Sequence, residues 1–401
     1  MRRGTRLGAA AALLAVLAAL AGGAATVGTD ASAAPARAIV IGWAFDGNGA
    51  MAPFDGPALA AARIRVAQIN GRGGVNGRRI RLDTCNTQNN NPTRARSCAA
   101  QLLGRGAHIV FTTCDVDFAT PVVQETINRG KLAIAPCIGT DQMGPKRFGA
   151  KGRLAFSFGN VAQDEGSAMA EYAYRRGWRT AATATNTLLV YFKNVVTAFE
   201  KRFTQLGGRI VARESYATGA NNVQTAVSRL NGRRANVIVT STAFGELPAL
   251  VSGLRSLGNR TPILNSWAGD GTYWVTPNPQ VTDYYFVTYA SVFGDDPNPA
   301  VRAMIAQLRR AGAAPATGGF IGGAAAIDGV VTAIRRANGS TQGAALSRQL
   351  ERFKRVQTLG GKVNFSRQLH TVFGRQYRVV RIQNNRARYV GAVTAKVVPK
   401  I

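Results

Sequence analysis

Residues 107–140 read AHIVFTTCDVDFATPVVQETINRGKLAIAPCIGT and predict one strand–helix–strand unit. The runs 108–113 and 131–135 are short, apolar and β-branched, as buried strands are. Between them, apolar residues at helical spacing predict a helix that begins at Pro121 and ends near Gly130. Two strands joined by a helix form a parallel βαβ unit, from which α/β sheets are built.

The loops that follow these two strands are the first candidates for a binding site. Parallel strands joined by a helix present their carboxyl ends at the same edge of a sheet, and open α/β sheets bind their ligands there. We therefore expect residues 114–120 and 136–142 to lie at a site.

The same alternation of strand and helix continues along most of the chain. Further strands are predicted at 38–44, 79–83, 180–185, 209–213, 235–241, 262–266 and 284–289. Helices at 299–311, 321–337 and 343–354 have little strand between them, which indicates that they return to cover the first sheet. A final hairpin at 377–383 and 387–394 can return to the second sheet. We predict an α/β fold with two doubly wound parallel-sheet lobes, made of residues 38–156 with 290–365 and of residues 157–289 with 366–401.

The first 33 residues have the composition of a secretory signal peptide. Arg2, Arg3 and Arg6 give a positive start, residues 7–20 are an Ala/Leu run, and residues 31–33 form a small-residue cleavage site. Cysteine is absent near that site, so we expect a cleaved protein without a lipid anchor. The predicted location is periplasmic or secreted.

The chain contains four cysteines, Cys85, Cys98, Cys114 and Cys137. An even number in an exported protein predicts disulfides, and three connectivities are open. Zinc is the competing interpretation, but the cysteine spacings do not match a zinc site. We predict no metal site.

The formal net charge is +30. The sequence shows no nucleic-acid-binding motif, so we expect no nucleic-acid partner. A basic surface that binds a cell-envelope polyanion is the alternative function that this charge leaves open.

The motifs of common enzymes are absent from the sequence. It contains no nucleophile elbow, zinc-protease motif or P-loop, and its two histidines, His108 and His370, are far apart. We expect no catalytic residues and no cofactor.

A binding cleft is better supported, because aromatic and polar side chains recur just after predicted strand ends. They are Trp43, Phe45, Phe54, Asp115, Asp117, Ile138 and Thr140 in the first set, and Tyr191, Phe192, Phe244, Glu246, Trp267 and Asp270 in the second.

Three stretches of the chain resemble one known family. IVIGWAFDGNGAMAPFDGPALAAARIRVAQINGRGGVNGRRIRLDTCN (39–86) resembles the opening of periplasmic binding proteins of the leucine/isoleucine/valine type, above all in its NGRGGVNG turn. KLAIAPCIGT (131–140) resembles the family's strand and loop before the second lobe. GWRTAATATNTLLVYFKNVVTAFEKRFTQLGGRIV (177–211) resembles the start of that lobe. The resemblance covers residues 39–373.

The resemblance implies a type I two-lobed fold with three hinge crossings, acting as a monomer. It also implies an amino-acid or small-amide ligand, which the protein delivers to a membrane ABC permease, although a ligand-sensing role stays open. The implied ligand-binding residues are Phe54, Asp115, Val116, Asp117, Ile138, Gly139, Thr140, Tyr191, Phe244 and Asp270. The usual disulfide of the family implies Cys85–Cys114, whereas Cys85–Cys98 with Cys114–Cys137 is at least as plausible here.

One departure from the family bears on the ligand. The family commonly presents Ser and Thr hydroxyls where this chain has Asp115 and Asp117. Two carboxylates would repel a ligand carboxylate in a partly desolvated cleft. We therefore expect a cationic, amide-like or polyol ligand, provided that both side chains point into the cleft.

Overall fold

The structure is a computed structural model that describes residues 37–398, with only the backbone of Ala220. The predicted signal peptide, residues 1–33, and the last three residues of the chain lie outside these residues. None of the helices between residues 37 and 398 is long and apolar enough to cross a membrane.

The elements follow one another in the alternation that the sequence predicts. The strands are β1 (Ile39–Phe45), β2 (Ile80–Asn86), β3 (Ile109–Phe111), β4 (Leu132–Ala135), β5 (Ala155–Asn160), β6 (Thr180–Asn186), β7 (Arg209–Tyr216), β8 (Val237–Ser241), β9 (Ile263–Asn265), β10 (Tyr284–Thr288), β11 (Val356–Thr358), β12 (Gly361–Val363), β13 (Thr371–Val372), β14 (Tyr377–Gln383) and β15 (Arg386–Val393). The helices are α1 (Ala52–Asn70), α2 (Pro92–Gly104), α3 (Val116–Asn128), α4 (Pro145–Phe148), α5 (Ala162–Arg175), α6 (Val190–Gln205), α7 (Ala220–Asn231), α8 (Glu246–Ser256), α9 (Pro299–Arg310), α10 (Phe320–Arg336) and α11 (Gly343–Leu350).

The strands form two large sheets. The first has six parallel strands in the order β13-β5-β4-β3-β1-β2. The second has seven strands in the order β15-β14-β10-β9-β8-β6-β7, in which the final hairpin pairs antiparallel with β10. We call the first sheet with its covering helices lobe 1, and the second lobe 2. Non-consecutive neighbours in both sheets show that each is doubly wound, as expected.

The chain passes between the lobes three times. It leaves the first sheet after β5 and enters α5, which packs on α6 in lobe 2. After β10 it returns to lobe 1, where α9 and α10 pack on α1. It crosses again between β13 and β14. The predicted two-lobed α/β fold with three crossings is therefore confirmed.

The exact segment division of the lobes stays a prediction, and the strand pairing bears on it at one place. Thr371–Val372 pairs with β5 in the first sheet. The predicted division assigned residues 366–401 to lobe 2, so a boundary between Val372 and Tyr377 agrees better with the pairing.

The helix after β3 begins earlier than the sequence pattern predicts. The Asp115 carboxylate accepts hydrogen bonds from the backbone N–H groups of Asp117 and Phe118, at 2.8 and 3.4 Å, and so caps α3 at Val116. Pro121 lies in the second turn of this helix, not at its start. The predicted loop 114–120 is therefore reduced to Cys114 and Asp115.

Both pairs of cysteines form disulfides within lobe 1. Cys85–Cys98 joins the end of β2 to α2, and Cys114–Cys137 joins the loops after β3 and β4. The pairing Cys85–Cys114, which the family resemblance implied, is not formed, because Cys98 lies beside Cys85 on the following helix.

Candidate functional site

The carboxyl ends of the strands in the two lobes face each other across a closed cleft. Phe54 at the start of α1 meets Trp267, just after β9, with ring centroids 5.1 Å apart and edge to face. A Cβ atom on Gly139, in the loop after β4, would lie 2.7 Å from Cε2 of Tyr191 at the start of α6. These contacts bring the two predicted sets of strand-end residues together.

Aromatic side chains close this cleft around one small cavity. Tyr191 contacts both Trp267 and Phe192, and Phe192 contacts Phe244, with centroid separations between 5.9 and 6.4 Å. The cavity has a volume of about 20 Å³, room for about one water molecule. Its lining residues are Met51, Phe54, Cys114, Asp115, Leu189, Tyr191, Phe192, Ala243, Phe244, Trp267 and Ala268. The lining is mainly apolar and comes from both lobes.

Four of the ten predicted ligand-binding residues line this cavity: Phe54, Asp115, Tyr191 and Phe244. Gly139 contacts Tyr191 beside it. The remaining five, Val116, Asp117, Ile138, Thr140 and Asp270, do not line it.

Val116, Ile138 and Thr140 are fully buried in lobe 1 and serve its packing. Val116 and Ile138 belong to the apolar cluster around α3 and β4. The carbonyl of Thr140 accepts a hydrogen bond of 2.6 Å from the Thr371 hydroxyl, which ties the loop after β4 to β13. These residues shape the loop rather than form the wall of the cavity.

Asp115 lines the cavity while it caps α3. Its side chain is 4% exposed, and burial raises its pKa to about 7, with the nearby Asp117 carboxylate adding to the shift. Near neutral pH this carboxyl therefore holds a proton in much of the population.

Asp117 lies outside the cavity and links the two lobes. Its Oδ1 accepts a hydrogen bond of 2.9 Å from Arg147, and its Oδ2 accepts one of 3.0 Å from the backbone N–H of Val190, the first residue of α6. An anion at a helix N-terminus is stabilised by the unpaired N–H groups and the helix dipole. Asp115 therefore lines the cavity, whereas Asp117 is held by Arg147 and by α6, and the expectation that both carboxylates repel a ligand carboxylate stays a prediction.

Asp270 is buried just behind the aromatic wall. Its Oδ2 accepts hydrogen bonds from the Thr288 hydroxyl at 2.7 Å and from the Gly318 N–H at 2.6 Å. Its Oδ1 and the buried indole Nε1 of Trp267 make no hydrogen bond of good geometry among residues 37–398, although the Gly271 N–H and the Trp267 side chain lie near enough to lower the pKa of Asp270. Burial raises the pKa of Asp270 to about 7.

Glu165 is a site residue that the sequence interpretation missed. Its Oε1 accepts hydrogen bonds from the Tyr191 hydroxyl at 2.8 Å and from the Trp267 N–H at 2.5 Å, so this carboxyl holds two wall residues in place. Burial raises its pKa to about 7. The available signal was the acidic pair Asp164 and Glu165 in a helix that is otherwise rich in small and apolar residues.

Trp267 also belongs to the wall, although the sequence identified it only as a strand-end aromatic. Its indole stacks on Tyr289, with centroids 5.1 Å apart and an interplanar angle of 18°. Tyr289 follows β10 at the second crossing, so the wall of the cleft continues into the hinge.

The two histidines have structural partners away from the cleft. Nδ1 of His108 accepts a hydrogen bond of 3.0 Å from the N–H of Val40. His370 stacks on Phe156, and its Nδ1 lies 3.0 Å from the Ala155 carbonyl oxygen. Within the described residues, no group of three or more His, Cys, Asp or Glu side chains is placed to hold a metal ion.

Comparison with solved structures shows where this fold occurs. The branched-chain amino acid transporter substrate-binding protein of Streptococcus pneumoniae, solved with isoleucine, superposes with a TM-score of 0.76 at 19% identity, over 90% of this chain and all of the other. A solute-binding protein of an ABC transporter from R. palustris, solved with benzoate, gives a TM-score of 0.73 at 16% identity, over 90% of this chain and 98% of the other. Both show the same fold.

Comparison of sequences gives the same relationship. The Leu/Ile/Val-binding protein homolog 3 of Brucella melitensis is 25% identical over 328 residues, which cover 79% of this chain and 86% of the relative. The sequence profile of the periplasmic binding protein family matches residues 38–387. The chain therefore belongs to the periplasmic binding protein family.

Proposed function

We propose that this protein captures a small ligand between its lobes outside the cytoplasm and delivers it to an ABC importer. The single observation that carries the proposal is the cleft, where aromatic side chains from both lobes surround a cavity. A ligand in such a place contacts both lobes only when they are closed, so its binding energy favours the closed form. The family and its relatives are binding proteins, and we propose a binding rather than a catalytic role here.

The chemistry of the cleft indicates the class of ligand. The wall of Phe54, Tyr191, Phe244 and Trp267 suits an apolar or aromatic body. The unpartnered Oδ1 of Asp270 can accept a hydrogen bond from an ammonium or amide group once the lobes part enough to admit it. We propose an amino acid, amide or related amine with an apolar side chain. The relatives described above were solved with isoleucine and with benzoate, which both have apolar bodies.

The proposal also covers the oligomeric state, the membrane partner and the export of the protein. The protein is a monomer whose closed form is recognised by a membrane permease, after export directed by residues 1–33. The position of Asp270 behind Trp267 supports its role with the ligand's ammonium group, and the positions of Phe54, Asp115, Tyr191 and Phe244 support direct contact.

The test is a thermal-shift screen of amino acids, amides and aromatic acids, followed by calorimetry on the compounds that raise the Tm. Asp270→Asn should weaken binding of an amine ligand at least tenfold, because a charge-assisted hydrogen bond is lost. Asp283→Asn is the matched control, since Asp283 pairs with Arg381 at a half-exposed position of the same lobe. A screen in which no compound raises the Tm would contradict the proposal. Equal effects of the two variants on binding would show that Asp270 does not contact the ligand.

The polyanion-binding alternative has one observation in its favour. A surface groove of about 580 Å³ in lobe 2 is lined by Arg233, Arg234 and Arg260, and its described lining contains no acidic residue. Heparin retention that falls steeply with salt, and that is lost when these three arginines become glutamines, would support this second function.

A further inference from the structure

A second cavity lies at the hinge, separate from the cleft. It has a volume of about 580 Å³, and we call it the hinge cavity. Its lining residues include Tyr289, Arg355, Lys362, Arg375, Gln376 and Arg378. They include Tyr289 at the second crossing and Arg375 at the third.

Arg375 is the feature that sets this cavity apart. Its side chain is only 4% exposed, yet none of its three guanidinium nitrogens has a hydrogen-bond partner among the described residues. Its central carbon lies 5.1 Å from the centroid of the Tyr289 ring, which provides a cation–π contact but accepts no hydrogen bond. A buried charge without a hydrogen-bonded partner is costly, so a partner from outside the chain is expected.

The other charges of the cavity have the same sign. Arg355, Lys362 and Arg378 join Arg375 in the lining, and no aspartate or glutamate is found among the described lining residues. Arg378 is already paired with Asp296, at 3.3 Å, whereas Arg355 and Lys362 are exposed at the rim. The cavity therefore presents a positive field with one desolvated guanidinium at its base.

A planar guanidinium with free N–H groups matches the geometry of a carboxylate or phosphate, which it can bind through two parallel hydrogen bonds. Asn298, Gln357 and Gln376 add polar side chains to the wall. We propose that the hinge cavity binds a small oxyanion, either a phosphate or a polycarboxylate, with Arg375 as the central contact. This site is distinct from the ligand cleft and does not depend on the function proposed above.

Calorimetric titration with inorganic phosphate and, in a separate arm, with citrate tests the site at pH 7 and constant ionic strength in sodium chloride. We expect saturable one-to-one binding of at least one anion, and the responding arm tells phosphate from carboxylate chemistry. Arg375→Met should lower the affinity about tenfold or more, because it removes the charge-assisted hydrogen bonds. Lys362→Gln, at the exposed rim, should lower it a few-fold.

Arg348→Gln is the matched control. Arg348 is an exposed arginine of α11 outside the cavity, so this variant loses the same charge and should bind the anion within twofold of the unmodified protein.

Stability measurements separate an anion site from a merely structural arginine. In buffer without phosphate or citrate, Arg375→Met should be at least as stable as the unmodified protein, because it removes an uncompensated buried charge. Failure of both anions to bind, equal affinity in Arg375→Met and Lys362→Gln, or a loss of stability of Arg375→Met in every buffer would each overturn the proposal.

Discussion

Asp115 is one of several buried carboxyl groups whose pKa is raised. Burial raises the pKa of this side chain to about 7, and the same cause acts on four further carboxyls within residues 37–398. The pKa values are about 7 for Asp55, Glu165 and Asp270 and about 6 for Asp164. All five groups hold a proton more tightly in the folded than in the unfolded chain.

The stability of the protein should therefore fall as the pH rises from about 5 to 8. A carboxyl whose folded pKa is raised contributes its full stabilisation below its unfolded pKa, near 3.8 for Asp115, and loses it as the pH passes its folded pKa. Each such group contributes at most about 1.4 kcal/mol per pH unit between the two values. Urea unfolding at pH 5, 6, 7 and 8 measures the slope.

Asp115→Asn assigns part of this slope to one residue. Asparagine is an equally good N-cap, so α3 keeps its capping bond while the titrating group is lost. The variant should lose less stability than the unmodified protein between pH 5 and 8. Glu125→Gln, a change at a surface ion pair with Arg129, is the control and should keep the original slope. An unchanged slope in Asp115→Asn would contradict the assignment.

These buried groups also show why the residues of the site were only partly predictable. The rule that ligands meet the carboxyl ends of strands selected Phe54, Tyr191 and Phe244, which line one cavity, because strand direction follows from the βαβ pattern. It could not tell that Asp117 turns to Arg147, nor that Glu165 turns inward from α5. Those orientations depend on contacts between elements that are distant in the sequence, which the local hydrophobic pattern does not encode.

Among the helices and strands, those that belong to the regular strand–helix alternation were predictable, and the short strands near the end of the chain were not. The two strands and the helix predicted in 107–140 occur, as does the final hairpin at Tyr377–Gln383 and Arg386–Val393. Strands β11, β12 and β13 were missed: they have only two or three residues and, unlike the three-residue strands β3 and β9, they do not lie within longer apolar runs that alternate with helices. The pairing of β13 with β5, more than 200 residues earlier, leaves no local signal.

The contact between α3 and α6 is where one element holds another across the cleft. Asp117→Asn removes the negative charge beside the N-terminus of α6. This should destabilise the closed form relative to the open form by about 0.3–1 kcal/mol. Hydrogen exchange at the Val190 amide should accelerate about two- to fivefold, since this N–H is protected by Asp117 only when the lobes are closed.

The control for this variant is again Glu125→Gln, which lies on the same helix but pairs with Arg129 within lobe 1. Loss of the Glu125–Arg129 ion pair should leave hydrogen exchange at Val190 unchanged, because exposed ion pairs contribute little to stability. Equal exchange in Asp117→Asn and the unmodified protein would show that other contacts hold the lobes together.

For the molecule as a whole, Gly139 sets how closely the lobes approach. A methyl group there would press on the Tyr191 ring, which Glu165 holds in place, so Gly139→Ala should oppose closure. Overpacking of this kind costs about 1–3 kcal/mol, or roughly 5- to 150-fold in the closed-to-open ratio. Small-angle scattering should show a larger radius of gyration than for the unmodified protein.

Gly56→Ala is the matched control for this substitution. Gly56 lies in α1, and among the described residues no heavy atom outside its chain neighbours and the adjacent helix backbone comes within 4 Å of a Cβ placed there. The control should close normally and be slightly more stable, as expected when alanine replaces a helical glycine. If Gly139→Ala has the same radius as this control, the closed cleft does not depend on the missing side chain.

The three crossings determine the order in which the protein can be completed during synthesis. Lobe 1 lacks α10 and β13 until residue 372 has been added, and lobe 2 lacks its outer hairpin until residue 393 of 401. A nascent fragment shorter than 372 residues therefore lacks elements of both lobes, so neither lobe can complete its sheet early in synthesis. For the same reason, cutting the chain at any single point between β1 and β15 would divide at least one of the two sheets between the products.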